Sequence, residues 1–366
     1  MISVSSGQDT GAVSAERRRG RAAVANASGR FEKLARVDLD DGWGGLEALA
    51  PFKTQVALER PRTIITRNES PDISFDRSIN PYRGCEHGCV YCFARTTHAF
   101  MGLSPGLDFE SRLFVKQNAA DLLKRELSAP SYQPKIIAIG TNTDPYQPIE
   151  REHRIMRSIL EVLAEANHPV AIVTKSALVL RDLDILAPMA AKGLVKVALS
   201  VTTLDRDVAR KMEPRASTPQ KRLDAIEALA AAGVPTAVMV APIIPGITDH
   251  EIETILTRAH ALGAGEAGYI LLRLPLEVQD IFSQWLLENF PDKYRKVLSL
   301  VRSTREGKAY DSAWGKRMTG TGPYAWMIGR RFELALEKIG FGKQKHKLRT
   351  DLFVRPLGGG VQLSLF

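Results

Sequence analysis

Between residues 118 and 274, short β-branched runs alternate with helix-length segments, and this alternation constrains the fold more than any other feature of the chain. The strand-like runs are 135–140, 170–174, 195–201, 236–241 and 268–274; the helix-like segments are 118–127, 150–166, 180–191, 219–232 and 249–262. The clearest helix is 219–232, where Leu223, Ile226, Leu229 and Ala230 recur at helical spacing, Thr218 can cap the start and Gly233 ends it. Strict β–α alternation folds into a parallel sheet with helices on its outer face. One more strand ahead of residue 85 brings the count to about six β/α units, which predicts a partial (β/α)6 barrel rather than a closed eightfold one. Functional side chains then belong on the loops at the strand C-termini.

The rest of the chain frames that barrel. Residues 1–30 are rich in Ser, Ala, Gly and Arg, carry Arg17, Arg18, Arg19 and Arg21, and lack an apolar period, so they read as a disordered basic arm. Residues 31–77 read as an extended lead-in with a strand at 62–67, and 78–275 as the barrel. Residues 276–350 switch to a helical extension (277–290, 293–305 and 324–339), and 351–366 form a tail that starts strand-like at 352–355. No stretch approaches the roughly 18 consecutive apolar residues of a membrane helix. The N-terminus has no apolar signal-peptide core, so a cytoplasmic protein is expected. Lys and Arg exceed Asp and Glu by 50 to 41, a net +9 that suits a polyanionic partner such as DNA or RNA.

The chain has three cysteines, and all fall in the run Pro81-Tyr82-Arg83-Gly84-Cys85-Glu86-His87-Gly88-Cys89-Val90-Tyr91-Cys92. A disulfide framework would scatter an even number along the chain. Three thiols in one glycine-containing loop point instead to a metal centre in a reducing compartment. Iron–sulfur clusters take four ligands, so three cysteines leave one iron open to a small chelating molecule. Zinc is the competing reading and would need a fourth ligand, with His87 or His98 at hand. Three structural thiols are the other.

Three residues and then two between the cysteines resemble the radical S-adenosylmethionine (SAM) superfamily motif. The resemblance implies a [4Fe–4S] cluster on Cys85, Cys89 and Cys92 whose open iron chelates SAM, a 5′-deoxyadenosyl radical, and an electron donor such as flavodoxin or ferredoxin. Tyr91 holds the aromatic position that packs near the adenine. Further runs, Ser78-Ile79-Asn80-Pro81-Tyr82-Arg83-Gly84-Cys85, Gly140-Thr141-Asn142-Thr143-Asp144-Pro145-Tyr146-Gln147-Pro148, Thr174-Lys175-Ser176, Ser200-Val201-Thr202-Thr203 and Glu213-Pro214-Arg215, are similar to the spore photoproduct lyase-related, DNA repair photolyase-like branch. By that likeness Thr143 and Asp144 take hydrogen bonds from the SAM ammonium, Lys175 and Arg215 pair with its carboxylate, and Ser200 bonds its ribose or carboxylate. Spore photoproduct lyase also uses an extra cysteine as hydrogen donor; this chain has none, so either its chemistry differs from that repair reaction or a tyrosine such as Tyr269 would have to serve. The expected activity is a radical SAM reaction, of lyase type or otherwise, on DNA. The alternatives are a protein, RNA or small-molecule substrate, or a non-catalytic cluster-bearing adaptor.

The last five residues, Gln362-Leu363-Ser364-Leu365-Phe366, resemble the pentapeptide with which bacterial replication and repair proteins bind the sliding clamp. Gln362 would bond at the pocket rim, while Leu363, Leu365 and Phe366 would supply the apolar anchors behind a Gly358-Gly359-Gly360 tether. In the extension, Tyr310, Trp314, Lys316, Arg317, Tyr324, Trp326, Arg330 and Arg331 interleave aromatics with cations, a pattern that can stack bases and bind phosphates or can simply be an amphipathic helix.

Overall fold

A computed structural model describes residues 13–32, 50–342 and 346–357. Ten strands are present among them: β1 Gln55–Glu59, β2 Ile65–Arg67, β3 Arg77–Ile79, β4 Tyr82–Arg83, β5 Arg112–Lys116, β6 Ile137–Ile139, β7 Val170–Thr174, β8 Val195–Ser200, β9 Thr236–Ile243 and β10 Glu266–Leu271. Seven form one sheet in the order β10-β9-β8-β7-β6-β3-β2. From β3 to β10 all neighbours are parallel and follow one another in chain order, with β2 added antiparallel at one edge. This is the expected six-unit partial barrel. Its antiparallel edge strand β2 lies in the segment read as a lead-in, and β3 starts at that segment's last residue.

Helices Ala119–Ser128, Ile155–Glu165, Leu183–Ala191, Pro219–Ala231 and Ile252–Ala261 cover the sheet where the sequence periodicity places them. In Pro219–Ala231 the Thr218 hydroxyl accepts from the Lys221 N–H and Gly233 closes the end at φ +74°, while Leu223, Ile226 and Leu229 enter the core. Arg206–Met212 is an additional helix that the alternation does not show, capped by the Asp205 carboxylate. It is too short to display a periodic apolar face.

A second sheet, β1-β5-β4, frames the chain on either side of the cysteines. Helices Val278–Asn289, Tyr294–Ser303 and Gly322–Ile339 form the expected extension. The first two join a separate apolar cluster in which Phe282, Trp285, Val297 and Val301 meet Cys89, Val90 and Tyr91 together with Val13, Ala22 and Ala23. The last packs on Ile252–Ala261, with Tyr324 donating to Asp249 and Arg331 pairing with Glu253 at 2.7 Å. Two of the interleaved aromatic and basic residues are therefore tied to the barrel wall, whereas Trp314 and Trp326 stay exposed.

Two expectations are corrected. Residues 13–30, read as part of a disordered arm, run as an ordered strap against the cysteine loop. Backbone N–H groups of Ala22 and Ala23 donate to the Glu110 carboxylate at 3.0 and 2.9 Å, and the buried Arg21 reaches the Glu110 carbonyl and the Thr54 hydroxyl. An extended strap held through its own backbone needs no apolar period, so composition cannot reveal it. Residues 352–355 form no strand; Val354 N–H bonds the Ala166 carbonyl as an isolated contact. Residues 1–12 and the clamp-like Gln362, Leu363, Leu365 and Phe366 lie outside the described residues.

Candidate functional site

The chain leaves β3, crosses β4 and enters the cysteine loop at the C-terminal mouth of the barrel, where the ends of β6, β7, β8 and β10 also converge. The loop winds tightly because two glycines allow it. Gly84 has φ +72° and Gly88 φ +67°. A Cβ on Gly84 would sit 2.7 Å from Leu113, and one on Gly88 would sit 2.7 Å from the Glu110 carboxylate. Backbone bonds from Cys85 N to Phe109 O, Val90 N to Met212 O and Cys92 N to Cys89 O fix its course.

Beneath the loop lies Arg95, wholly buried. Its guanidinium donates to the carbonyls of Gly88, Cys89, Pro105 and Gly106 at 2.9–3.1 Å and to Glu110 at 2.5 Å. From the other side, Gln147 accepts from Glu86 N–H at 2.8 Å and donates to Gly84 O at 3.2 Å.

Cys85 and Cys89 are buried, Cys92 is partly so, and none is in a disulfide. Burial pushes all three thiols up: Cys85 well above its ordinary value, with Asp144 and the other two cysteines adding, and Cys89 to about 12, with Glu213 adding. Cys85 thus feels both partners' charge, and Cys89 feels that of Cys92. Thiols crowded together out of water keep their protons unless a metal displaces them, so this donor set fits a bound cation cluster. Each histidine that zinc would need has one ring nitrogen engaged, though His98 Nδ1 is left without a hydrogen-bond partner. The His98 Nε2 is committed to the Arg112 carbonyl at 2.9 Å, and the His87 Nδ1 lies 3.3 Å from Asp144. Among the described residues no group of three His, Cys, Asp or Glu side chains closes on a point as one ion requires. A four-iron cluster spreads its thiolates more widely.

The residues singled out from the sequence meet different fates. Lys175, at the end of β7, has its Nζ 5.8 Å from the Tyr91 ring centroid, with no hydrogen bond or ion pair to a described residue. The Tyr91 hydroxyl donates to Glu213, with Thr202 3.3 Å away. The hydroxyls of Ser200 and Thr143 donate to the carbonyls of Ala241 (3.2 Å) and Tyr82 (3.0 Å). Each therefore keeps an oxygen that can only accept.

Asp144 is spent internally. It accepts from the Thr174 hydroxyl and the N–H groups of Lys175 and Tyr146 at 2.7–2.9 Å, as well as facing His87. Burial would raise its pKa, but His87 and these donors hold it at about 2. Arg215 is exposed and pairs with Glu86, so it is already neutralised at the rim. Tyr269 turns away from the mouth. Its ring packs on Phe332 at 4.8 Å and its hydroxyl lies against Gly329, both on the outer C-terminal helix, so it is not placed to quench a radical.

Sequence reasoning passed over the buried charges. Glu213, in the same Glu-Pro-Arg run that suggested Arg215, bonds Tyr91, Thr202 and Arg222, and Arg222 also donates to Ser200 O at 3.0 Å. Burial opposes its ionisation, yet Arg222 and Lys175 keep Glu213 below its ordinary value. Glu110 and Arg95 are the other pair. The one local signal for Arg95 is its place three residues after the last cysteine.

A match to the Radical SAM superfamily spans residues 79–259, from β3 to the helix after β9. The chain belongs to the radical SAM superfamily. It is accordingly a radical SAM enzyme that works with a [4Fe–4S] cluster and SAM. An uncharacterised protein of Mycobacterium tuberculosis, Rv2578c, is 38% identical over 232 residues, covering 63% of this chain and 68% of its own. A radical SAM Nalpha-GlyT isomerase of Pseudomonas phage M6 is 26% identical over 311 residues, covering 75% and 60%. Spore photoproduct lyase, in complex with a dinucleoside spore photoproduct, shares the fold with a TM-score of 0.55 at 17% identity, over 78% of this chain and 79% of that one.

Proposed function

We propose that the chain holds its cluster on Cys85, Cys89 and Cys92 and directs radical SAM chemistry at DNA, for repair or modification. The observation that carries the catalytic part is a cation, Lys175 Nζ, that makes no hydrogen bond or ion pair among the described residues and lies over the Tyr91 ring directly beside the cysteine loop. When bound, the cluster supplies the electron, drawn from a flavodoxin or ferredoxin, that splits SAM into methionine and a hydrogen-abstracting 5′-deoxyadenosyl radical. The chain's own residues do the positioning. Lys175 pairs with the SAM carboxylate, and Thr143 and Ser200 offer acceptor oxygens to its ammonium and ribose hydroxyls. Glu213 and Arg222 hold Tyr91 in place.

Support for DNA comes from the net +9 charge and from a structural relative complexed with a dinucleoside spore photoproduct. The test is anaerobic incubation of reconstituted protein with SAM, dithionite and damaged DNA, with nucleosides read by mass spectrometry. 5′-Deoxyadenosine together with an altered nucleoside is expected. 5′-Deoxyadenosine formed with a peptide, RNA or metabolite but never with DNA would move the substrate elsewhere, and none at all would leave a non-catalytic adaptor.

Lys175→Ala is expected to weaken SAM binding by about 1.5–3 kcal/mol, the range for a charge-assisted hydrogen bond, with iron content unchanged. Unaltered affinity would remove Lys175 from the SAM site. For the tail, a peptide of residues 356–366 is expected to bind the bacterial sliding clamp at roughly micromolar Kd. Leu365→Ala with Phe366→Ala should abolish most of that, and calorimetry with peptide and whole protein checks it. Failure of both to bind would withdraw the clamp as a partner.

A further inference from the structure

One guanidinium at the mouth makes no direct ion pair among the described residues, although Asp72 and Cys92 lie within reach of its charge. Arg273 lies two residues past the end of β10, where a barrel sets its ligand contacts, and among the described residues it makes no hydrogen bond or ion pair. Its guanidinium carbon lies 4.1 Å from the ring centroid of Phe93, the residue that follows Cys92, and its charge is felt at Cys92. A largely desolvated cation without a partner is costly unless an anion is brought to it.

Seven residues past Phe93, at the end of the helical run it opens, Phe100 forms half of an aromatic pair that the core does not use. Phe31 and Phe100 are 53% and 70% exposed and stack with centroids 5.1 Å apart and planes 27° from parallel. Arg30 lies over both, 5.2 and 5.6 Å from their centroids, and is anchored by Glu277, four residues beyond Arg273. Phe31 belongs to the N-terminal strap and Phe100 to the turn that follows the cysteines. Two distant parts of the chain are thus brought together to expose a flat apolar face at the edge of the candidate active site.

We infer that Phe31, Phe100 and Arg273 form a single-stranded nucleic-acid rim, with Arg273 on a phosphodiester and the phenylalanine pair under an unpaired base. This rests on the reading that the enzyme acts on nucleic acid, and adds how the strand is held. A stacked ring pair matches the π-face of any base, and an arginine fork matches a phosphate. Base pairs in a duplex hide those faces, so the rim selects an unpaired or extruded nucleotide.

The experiment is fluorescence anisotropy of the reconstituted full chain with a labelled 12-residue single-stranded DNA, and with its duplex, across a salt series. The wild type is expected to favour the single strand. Phe31→Ala with Phe100→Ala should lower that affinity by about tenfold with the salt slope kept, as loss of one stacked base predicts. Arg273→Gln should reduce the slope of log affinity against log salt by about 0.7, one phosphate contact, and Arg273→Lys should restore it. Iron content and melting temperature are controls, and should match wild type in all three variants. A wild type that binds single-stranded DNA while the variants bind it equally well would overturn the rim and leave the nucleic-acid reading standing. A wild type that binds no nucleic acid would overturn both.

Discussion

Replacing Cys85, Cys89 or Cys92 with alanine, one at a time, is expected to strip the protein of its iron and to abolish SAM cleavage without unfolding the barrel. The reconstituted wild type should hold about four irons per chain. The thiols themselves carry little of the loop's structure. Its path is set by the backbone bonds of Cys85, Val90 and Cys92 and by the Arg95 and Gln147 side chains, all of which survive a cysteine-to-alanine change. Two thiolates cannot hold the cluster in the place of three, so the loss should be of the whole cluster and not of one iron. Iron analysis, the reduced EPR signal with and without SAM, and a far-ultraviolet circular dichroism spectrum form the measurement. A variant that keeps full iron and a SAM-responsive signal would show that its cysteine is not a ligand. Zinc in place of iron in the wild type would refute the cluster itself.

Arg95→Met is expected to destabilise the fold by about 3–5 kcal/mol, the cost of stranding a buried charge, and to block cluster assembly with it. Arg95 and Glu110 are both fully buried. All of the guanidinium's directions are used, four on backbone carbonyls around the cysteine loop and one on Glu110. Methionine fills a similar volume but leaves those carbonyls and one side of the carboxylate unpaired. Glu110 would retain the N–H groups of Ala22 and Ala23, so the strap should stay attached while the cysteine loop, which loses the bonds to Gly88 O and Cys89 O, loosens first. Arg95→Lys keeps the charge yet cannot reproduce a five-donor fork, and should recover only part of the loss. Urea denaturation gives the stability, and iron per folded chain gives the assembly. If Arg95→Met is as stable as wild type and loads iron normally, the buried pair is no more than filler.

The barrel was legible because its signal is local. Val170–Thr174 and Pro219–Ala231 announce themselves through β-branching and helical spacing within a window of a dozen residues, and the structure places both as read. The cysteine loop is legible for the same reason, since three thiols and two glycines within nine residues leave little else for it to do. The strap is the opposite case. Ala22 and Ala23 carry no periodic pattern, and what orders them is a carboxylate 87 and 88 residues along the chain.

The same division separates the candidate site residues. Lys175 was singled out because it follows a readable strand, while Arg215 was named and Glu213 was not, because a charged side chain looks alike in a sequence whether it faces water or the interior. Tyr269 looked like a hydrogen donor until its strand's outer face was seen to be covered by Gly322–Ile339. By itself, then, the sequence determined the β/α order, the radical SAM family and the clustering of the three cysteines in one loop, since each depends on neighbours in the chain. Only the tertiary structure decided which charges are neutralised in pairs and which, as at Lys175 and Arg273, make no ion pair among the described residues. Pairing depends on distance through space and on exclusion of water, and neither is written in the spacing of residues along the chain.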